Sequence, residues 1–207
     1  MKKLIAVMII VFSLMVMTSC TGNGAGQMKD SDIEKIYKTV CSADEALALA
    51  KSSSVAVFEF RGCTSGKETW NDFYRKVSEG KAASVLCAHY YTLDKDHISE
   101  ELYEQEKDLY PELYFYLIKF DGKKYTIDIR LSSSEQEETQ DVYSSLCHYT
   151  GDAPNSDSLF EKYDYYVLTD DPDVTWDEIM RSILDSSDPS MIRHCTVYED
   201  FTGWKGK

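Results

Sequence analysis

Gly62-Cys63-Thr64-Ser65-Gly66-Lys67 comes nearest to a reactive segment. A cysteine just ahead of a helix feels the positive end of the helix dipole, which favours thiolate over thiol. Arg61 and Lys67 flank Cys63 and push the same way. The segment also places glycines and a lysine as a phosphate-binding loop does, but that loop needs G-x-x-x-x-G-K-[ST]. One residue is missing between the glycines here, and Glu68 stands where the metal-binding hydroxyl belongs. Nucleotide binding is set aside. Cys63 is either a single reactive thiol or a small residue filling a strand-to-helix junction.

Cysteine and histidine also lie close in Cys87 with His89, in Cys147-His148 and in His194-Cys195. Both are ligands for zinc and other soft-ligand metals. Adjacent strand residues point to opposite faces, so only Cys87 and His89 could share an ion. No C-x-x-C or H-x-x-x-H spacing joins them. Asp171, Asp173, Thr175 and Asp177 alternate as in a calcium loop, but Trp176 replaces the required glycine and Ser182 the bidentate glutamate. Acids there are better explained as helix caps. The reading therefore names no metal, no cofactor and no catalytic residue, with Cys63 as the catalytic alternative and Cys87 and His89 as the metal alternative.

The elements that must position these residues can be read from periodicity. Ser31 to Val40 predicts a helix with Ile33, Ile36, Tyr37 and Val40 inward, and Ser42 with Glu45 opens a second one. Ser54 to Phe60 and Ser84 to Thr92 read as strands. Between them Ser65 and Glu68 cap a helix with Trp70, Phe73, Tyr74 and Val77 as its inner stripe. Ser99 to Leu109 is an acidic helix with Leu102, Tyr103 and Leu109 available for packing. Asp121-Gly122 predicts a two-residue hairpin turn pairing Ile118 with Tyr125 and Tyr116 with Ile127. That register turns Lys119, Lys124, Thr126, Asp128 and Arg130 towards water. Residues 131–140 read as a loop, and Val142 to Tyr149, Tyr163 to Leu168 and Arg193 to Tyr198 as strands. Thr175 and Glu178 cap a last helix with Trp176, Ile179, Met180, Ile183 and Leu184 as its stripe. The sum is one α+β domain over residues 31–207, mostly antiparallel, with helices packed on one face.

The N-terminus gives an address. Lys2 and Lys3 precede an apolar run from Leu4 to Met17, which ends Met17-Thr18-Ser19-Cys20. The run is short for a membrane span and suits a secretory signal. Small residues directly before Cys20 resemble a bacterial lipobox, with Met17 where an aliphatic residue is preferred. Residues 1–19 then form the signal peptide, Cys20 the lipidation site, and residues 20–30 a Gly-rich tether. Cys41, Cys63, Cys87, Cys147 and Cys195 remain. Their odd number and wide spacing favour mostly reduced thiols over a disulfide framework.

Val77-Ser78-Glu79-Gly80-Lys81, Tyr91-Thr92 and Phe120-Asp121-Gly122-Lys123 recur in order between Val55 and Arg130. This stretch resembles small lipoproteins of Gram-positive bacteria whose function is unknown. The acidic helix at Ser99 is the departure. The resemblance implies a secreted, lipid-anchored single domain and brings no catalytic residues. Cys63 between strand and helix, with Pro111 leading into a hairpin, also resembles the thioredoxin-like fold. Here Gly66 stands where that fold's second cysteine would be, and Glu112 follows the proline.

The formal charge of −14 excludes nucleic acid as a default partner, because phosphate binding needs clustered Lys and Arg. Fifteen tyrosines suit a peptide or carbohydrate surface as well as ordinary sheet packing. The expected function is a non-catalytic binding domain at the outer cell surface, held by lipid at Cys20. Its partner would be a surface protein, a peptide or a wall component. A thiol-dependent redox protein using Cys63 is the alternative.

Overall fold

The computed structural model describes residues 28–60, 62–136, 139–184 and 191–205. The signal segment, Cys20 and most of the tether lie outside these residues, as does Arg61. Two helices lead the chain, α1 (Asp30–Tyr37) and α2 (Ala43–Ser52). The Ser42–Glu45 capping box forms as expected, with Ser42 N donating to Glu45 Oε2 at 3.0 Å. Ser31 does not cap α1; Lys29 holds the N-cap position without a side-chain bond, and Val40 falls beyond the helix, exposed.

A hairpin follows, β1 (Ala56–Glu59) with β2 (Gly62–Ser65), then α3 (Lys67–Ser78). The strand β2 replaces the expected Ser65 cap. Gly66 enters α3 instead, at φ +69°, and a Cβ there would lie 2.0 Å from the Val55 carbonyl oxygen. Only glycine fits that close, left-handed corner. Trp70, Phe73 and Val77 form the buried stripe of α3.

The chain then runs through β3 (Ala83–Tyr91), α4 (Glu100–Glu106), β4 (Glu112–Phe120), β5 (Tyr125–Leu131) and β6 (Thr139–Tyr143). These complete a six-stranded sheet in the order β2-β1-β3-β4-β5-β6, antiparallel except for β1 with β3. The β4–β5 register differs from expectation by two residues: Phe120 pairs with Tyr125 and Ile118 with Ile127. Asp121 is the reason, because its Oδ1 accepts from the amides of Lys123 and Lys124 and closes a four-residue turn. A shift of two keeps every side chain on its expected face.

The face expected to meet water is a second correction. Leu113, Phe115 and Leu117 are buried there, and so are Asp128 and Arg130. Arg130, 3% exposed, donates to the Tyr37 and Thr39 carbonyls at the end of α1. It satisfies orphan carbonyls that would otherwise be buried bare. Residues 131–140 also do more than loop, since Thr139–Tyr143 extends the sheet.

A second sheet follows, β7 (Ser145–Asp152), β8 (Lys162–Thr169) and β9 (His194–Thr202), with α5 (Trp176–Leu184) between the last two. The α+β class and largely antiparallel pairing are as expected, but the helices divide between faces. α1 and α2 cover one face of the large sheet. The other face packs with α3 and the second sheet around Phe58, Trp70, Tyr166 and Tyr198. α5 lies on the far side of the second sheet, through Ile179 against Val167. Leu102 and Leu109 stay exposed around α4, as do Ile183 and Leu184 in α5, so neither expected stripe is fully used. Among the described residues no helix is long and apolar enough to cross a membrane.

Candidate functional site: an aromatic pocket beside a buried histidine

The sheets part at one end, where β1, β3 and β9 finish. The alternation of β3 decides what faces the gap. Leu86 and Ala88 point to α1 and α2, while Val85 and Cys87 point between the sheets. His89 and Tyr91 continue the inner row. His89 is 3% exposed and stacks on Phe58 and Tyr116, at centroid distances of 4.6 and 4.3 Å. Beyond it opens a pocket of about 170 Å³, lined by Phe58, Phe60, His89, Tyr91 and Glu199 among others. Phe60, 57% exposed, stands at the rim and touches Trp204.

The polar groups here are shifted by burial. Loss of water pushes the His89 imidazole down to about 4, so the ring is neutral at pH 7. A backbone hydrogen bond with Val197 acts the other way, so the ring donates it. His89 Nε2 is buried and meets no partner among the described residues. Burial alone raises the Glu199 carboxyl above its usual range. Tyr91 is raised by burial first and then by the charge of Glu199. Glu59, also lining the pocket, is already held by Lys51 at 2.7 Å.

The expected thiol site looks different. Cys63 lies in β2, ahead of the Gly66 corner rather than on a helix cap. Its Sγ donates to the Ser65 carbonyl at 3.4 Å. Burial, then the charge of Asp200, pushes the thiol up to about 11, the reverse of dipole activation. Lys67 is engaged by Asp200 at 2.6 Å. β3 separates β1 from β4, so the strand after Pro111 is not brought beside the cysteine. Cys41, Cys63, Cys87, Cys147 and Cys195 are free thiols.

Cys87 and His89 do share a face, but Cys87 sits in apolar surroundings that hold its thiol protonated. Among the described residues no group of three or more His, Cys, Asp or Glu could hold a metal ion. Cys147 Sγ donates to the Pro172 carbonyl, while His148 Nε2 meets Asp164 Oδ1 at 2.7 Å. In the acidic segment, Asp171 Oδ1 accepts from the Asp173 amide, and Thr175 and Glu178 form the cap of α5. Sequence reading singled out His89 as a ligand and missed Phe60 and Glu199 as site residues. The period-two alternation of β3 places Cys87, His89 and Tyr91 together; nothing in the sequence brings Glu199 to them. No protein-family model, curated protein or solved structure matches the chain.

Proposed function

We propose that the protein is a lipid-anchored, extracytoplasmic binding domain that holds a partner at the cell surface without catalysis. The observation that carries the reading is the pocket. Its lining is largely aromatic, and the buried His89 Nε2 beside it has no partner among the described residues. A small, largely aromatic site with few polar groups suits recognition of a partner's end group. The apolar run and Cys20 supply the address, and the lipoprotein resemblance agrees with it. The partner is a surface protein, a peptide or a wall component, and the charge of −14 disfavours nucleic acid.

The address is tested by expressing the full chain and its Cys20→Ser variant in a bacterial host supplied with labelled palmitate. The parent chain should take label and pellet with membranes, and the variant should do neither. An unlabelled, freely released parent chain overturns the anchoring. The thiol alternative is tested by alkylation at pH 8. A thiol held near 11 should react more than about tenfold slower than glutathione. A Cys63 that outpaces glutathione restores the redox reading.

A further inference from the structure

We infer that the pocket at the ends of β1, β3 and β9 binds a primary alkylammonium group, seated on Glu199 with its chain against Phe60 and Tyr91. This rests on the binding-domain reading and specifies what that site takes.

Size limits the occupant first. About 170 Å³ is well below the roughly 300–1,000 Å³ of pockets that enclose drug-sized molecules. The site holds an end group. Polarity then sets the charge of that group. Among the described residues, no Lys or Arg lines the pocket. Its carboxylates accept, and the Tyr91 and Thr92 hydroxyls both donate and accept. His89 Nε2 lies behind the lining, buried with no partner among the described residues. Glu199 offers a carboxylate with no salt-bridge partner among the described residues, whereas Glu59 is already paired with Lys51. A buried acceptor left bare is unfavourable, and a donor that reaches it removes the penalty. An ammonium brings three donors and the charge that Glu199 lacks.

The walls favour the same ligand. Phe60 and Tyr91, both exposed, supply aromatic rings that a cation and its methylenes can lie against. An anion would meet two carboxylates and, among the described residues, no lining cation. A neutral alcohol would gain the apolar contact and forgo the charge. Two sources carry the chemistry, a free alkylamine and the side chain of a lysine in a peptide.

The test uses the full chain in detergent micelles, with the ¹⁵N shift of His89 Nε2 and titration calorimetry as readouts. The probes are n-butylammonium, Nα-acetyl-lysine methylamide, n-butanol and n-butyrate. Both ammonium probes should move the His89 signal, and n-butanol should bind at least about tenfold more weakly. A stronger response to the lysine derivative assigns the peptide source, and a stronger response to butylammonium assigns the free amine. Glu199→Gln should weaken ammonium binding at least about tenfold. Phe60→Ala, at an exposed position that leaves the fold alone, should weaken it about threefold. The inference is overturned if n-butanol or n-butyrate binds as well as n-butylammonium, or if no ammonium shifts His89 up to ~100 mM. The palmitate labelling of Cys20 reads the anchoring separately. Labelling without ammonium binding therefore sinks the pocket assignment and leaves the anchored domain standing.

Discussion

His148 and His89 each stack on an aromatic ring of the layer between the sheets, His148 on Tyr166 at 4.1 Å and His89 on Phe58 at 4.6 Å. One row of rings joins them: Phe58 to Tyr198 at 5.1 Å, Tyr198 to Trp70 at 4.9 Å, Trp70 to Tyr166 at 5.1 Å. Their polar edges differ. His148 Nε2 meets Asp164 in a part-exposed place, and water can supply whatever else it needs. His89 Nε2 is buried, with no partner among the described residues. A buried polar atom left bare costs about 1–3 kcal/mol. The fold carries that cost at the His89 end and again at Trp70 Nε1 in the middle of the row, and a pocket opens at the His89 end. Completing a histidine and leaving one incomplete are both within this architecture's means, and the incomplete one lies where the pocket opens.

The strongest way to break the comparison is to cut the row in its middle. Trp70 is fully buried and touches both Tyr198 and Tyr166. Trp70→Ala should lower unfolding free energy by about 3–5 kcal/mol in urea titrations, since a large cavity replaces a packed indole. Both histidine environments should change together. If His89 and His148 respond independently in NMR spectra of the variant, the row does not couple the ends.

Much of this arrangement is legible in the sequence, and what is not has definite causes. The stripe Trp70, Phe73 and Val77 is readable because a helix stripe needs only local spacing. The inner faces of β4 and β5 survive a wrong turn length, because a slip of two preserves the pleat. Arg130 is the opposite case. Alternation places it correctly, but its burial depends on α1 lying across that face, more than ninety residues earlier in the chain. The strand β2 is hidden by its composition, since Gly-Cys-Thr-Ser looks like a loop until β1 lies beside it. The pocket follows the same rule. His89 and Tyr91 share a strand and can be grouped by eye, while Glu199 arrives on β9 through a pairing with β8 that no local signal announces.

A pH series sharpens the contrast. The folded His89 takes its second ring proton only below about 4, against an ordinary value of 6.5. Between those values the unfolded chain binds a proton that the folded chain refuses. Stability is therefore present above pH 6.5 and is lost as pH falls towards 4, by about 3 kcal/mol when complete. Glu199 acts with the opposite sign: its raised value gives stability at low pH that fades as pH rises through it. The difference between the parent chain and His89→Phe isolates the histidine. Phenylalanine keeps the stack, so the variant should gain about 3 kcal/mol relative to the parent between pH 7 and pH 4. A difference that stays flat would mean that His89 protonates as freely in the folded chain as in the unfolded one.

The smallest expected effect belongs to the other end. His148 and Asp164 are 34% and 38% exposed at their side chains, so solvent screens the pair. Part-exposed pairs of this kind contribute about 0–1 kcal/mol. Asp164→Asn should accordingly change stability by less than about 1 kcal/mol, and added salt should shrink even that. The ring of His148 stays on Tyr166 whether or not the carboxylate is charged, because the stack is an apolar contact. A loss above about 2 kcal/mol would place the pair among desolvated ion pairs. His148 would then depend on its partner as a buried group does, and the bare Nε2 of His89 would no longer be distinguished by its surroundings.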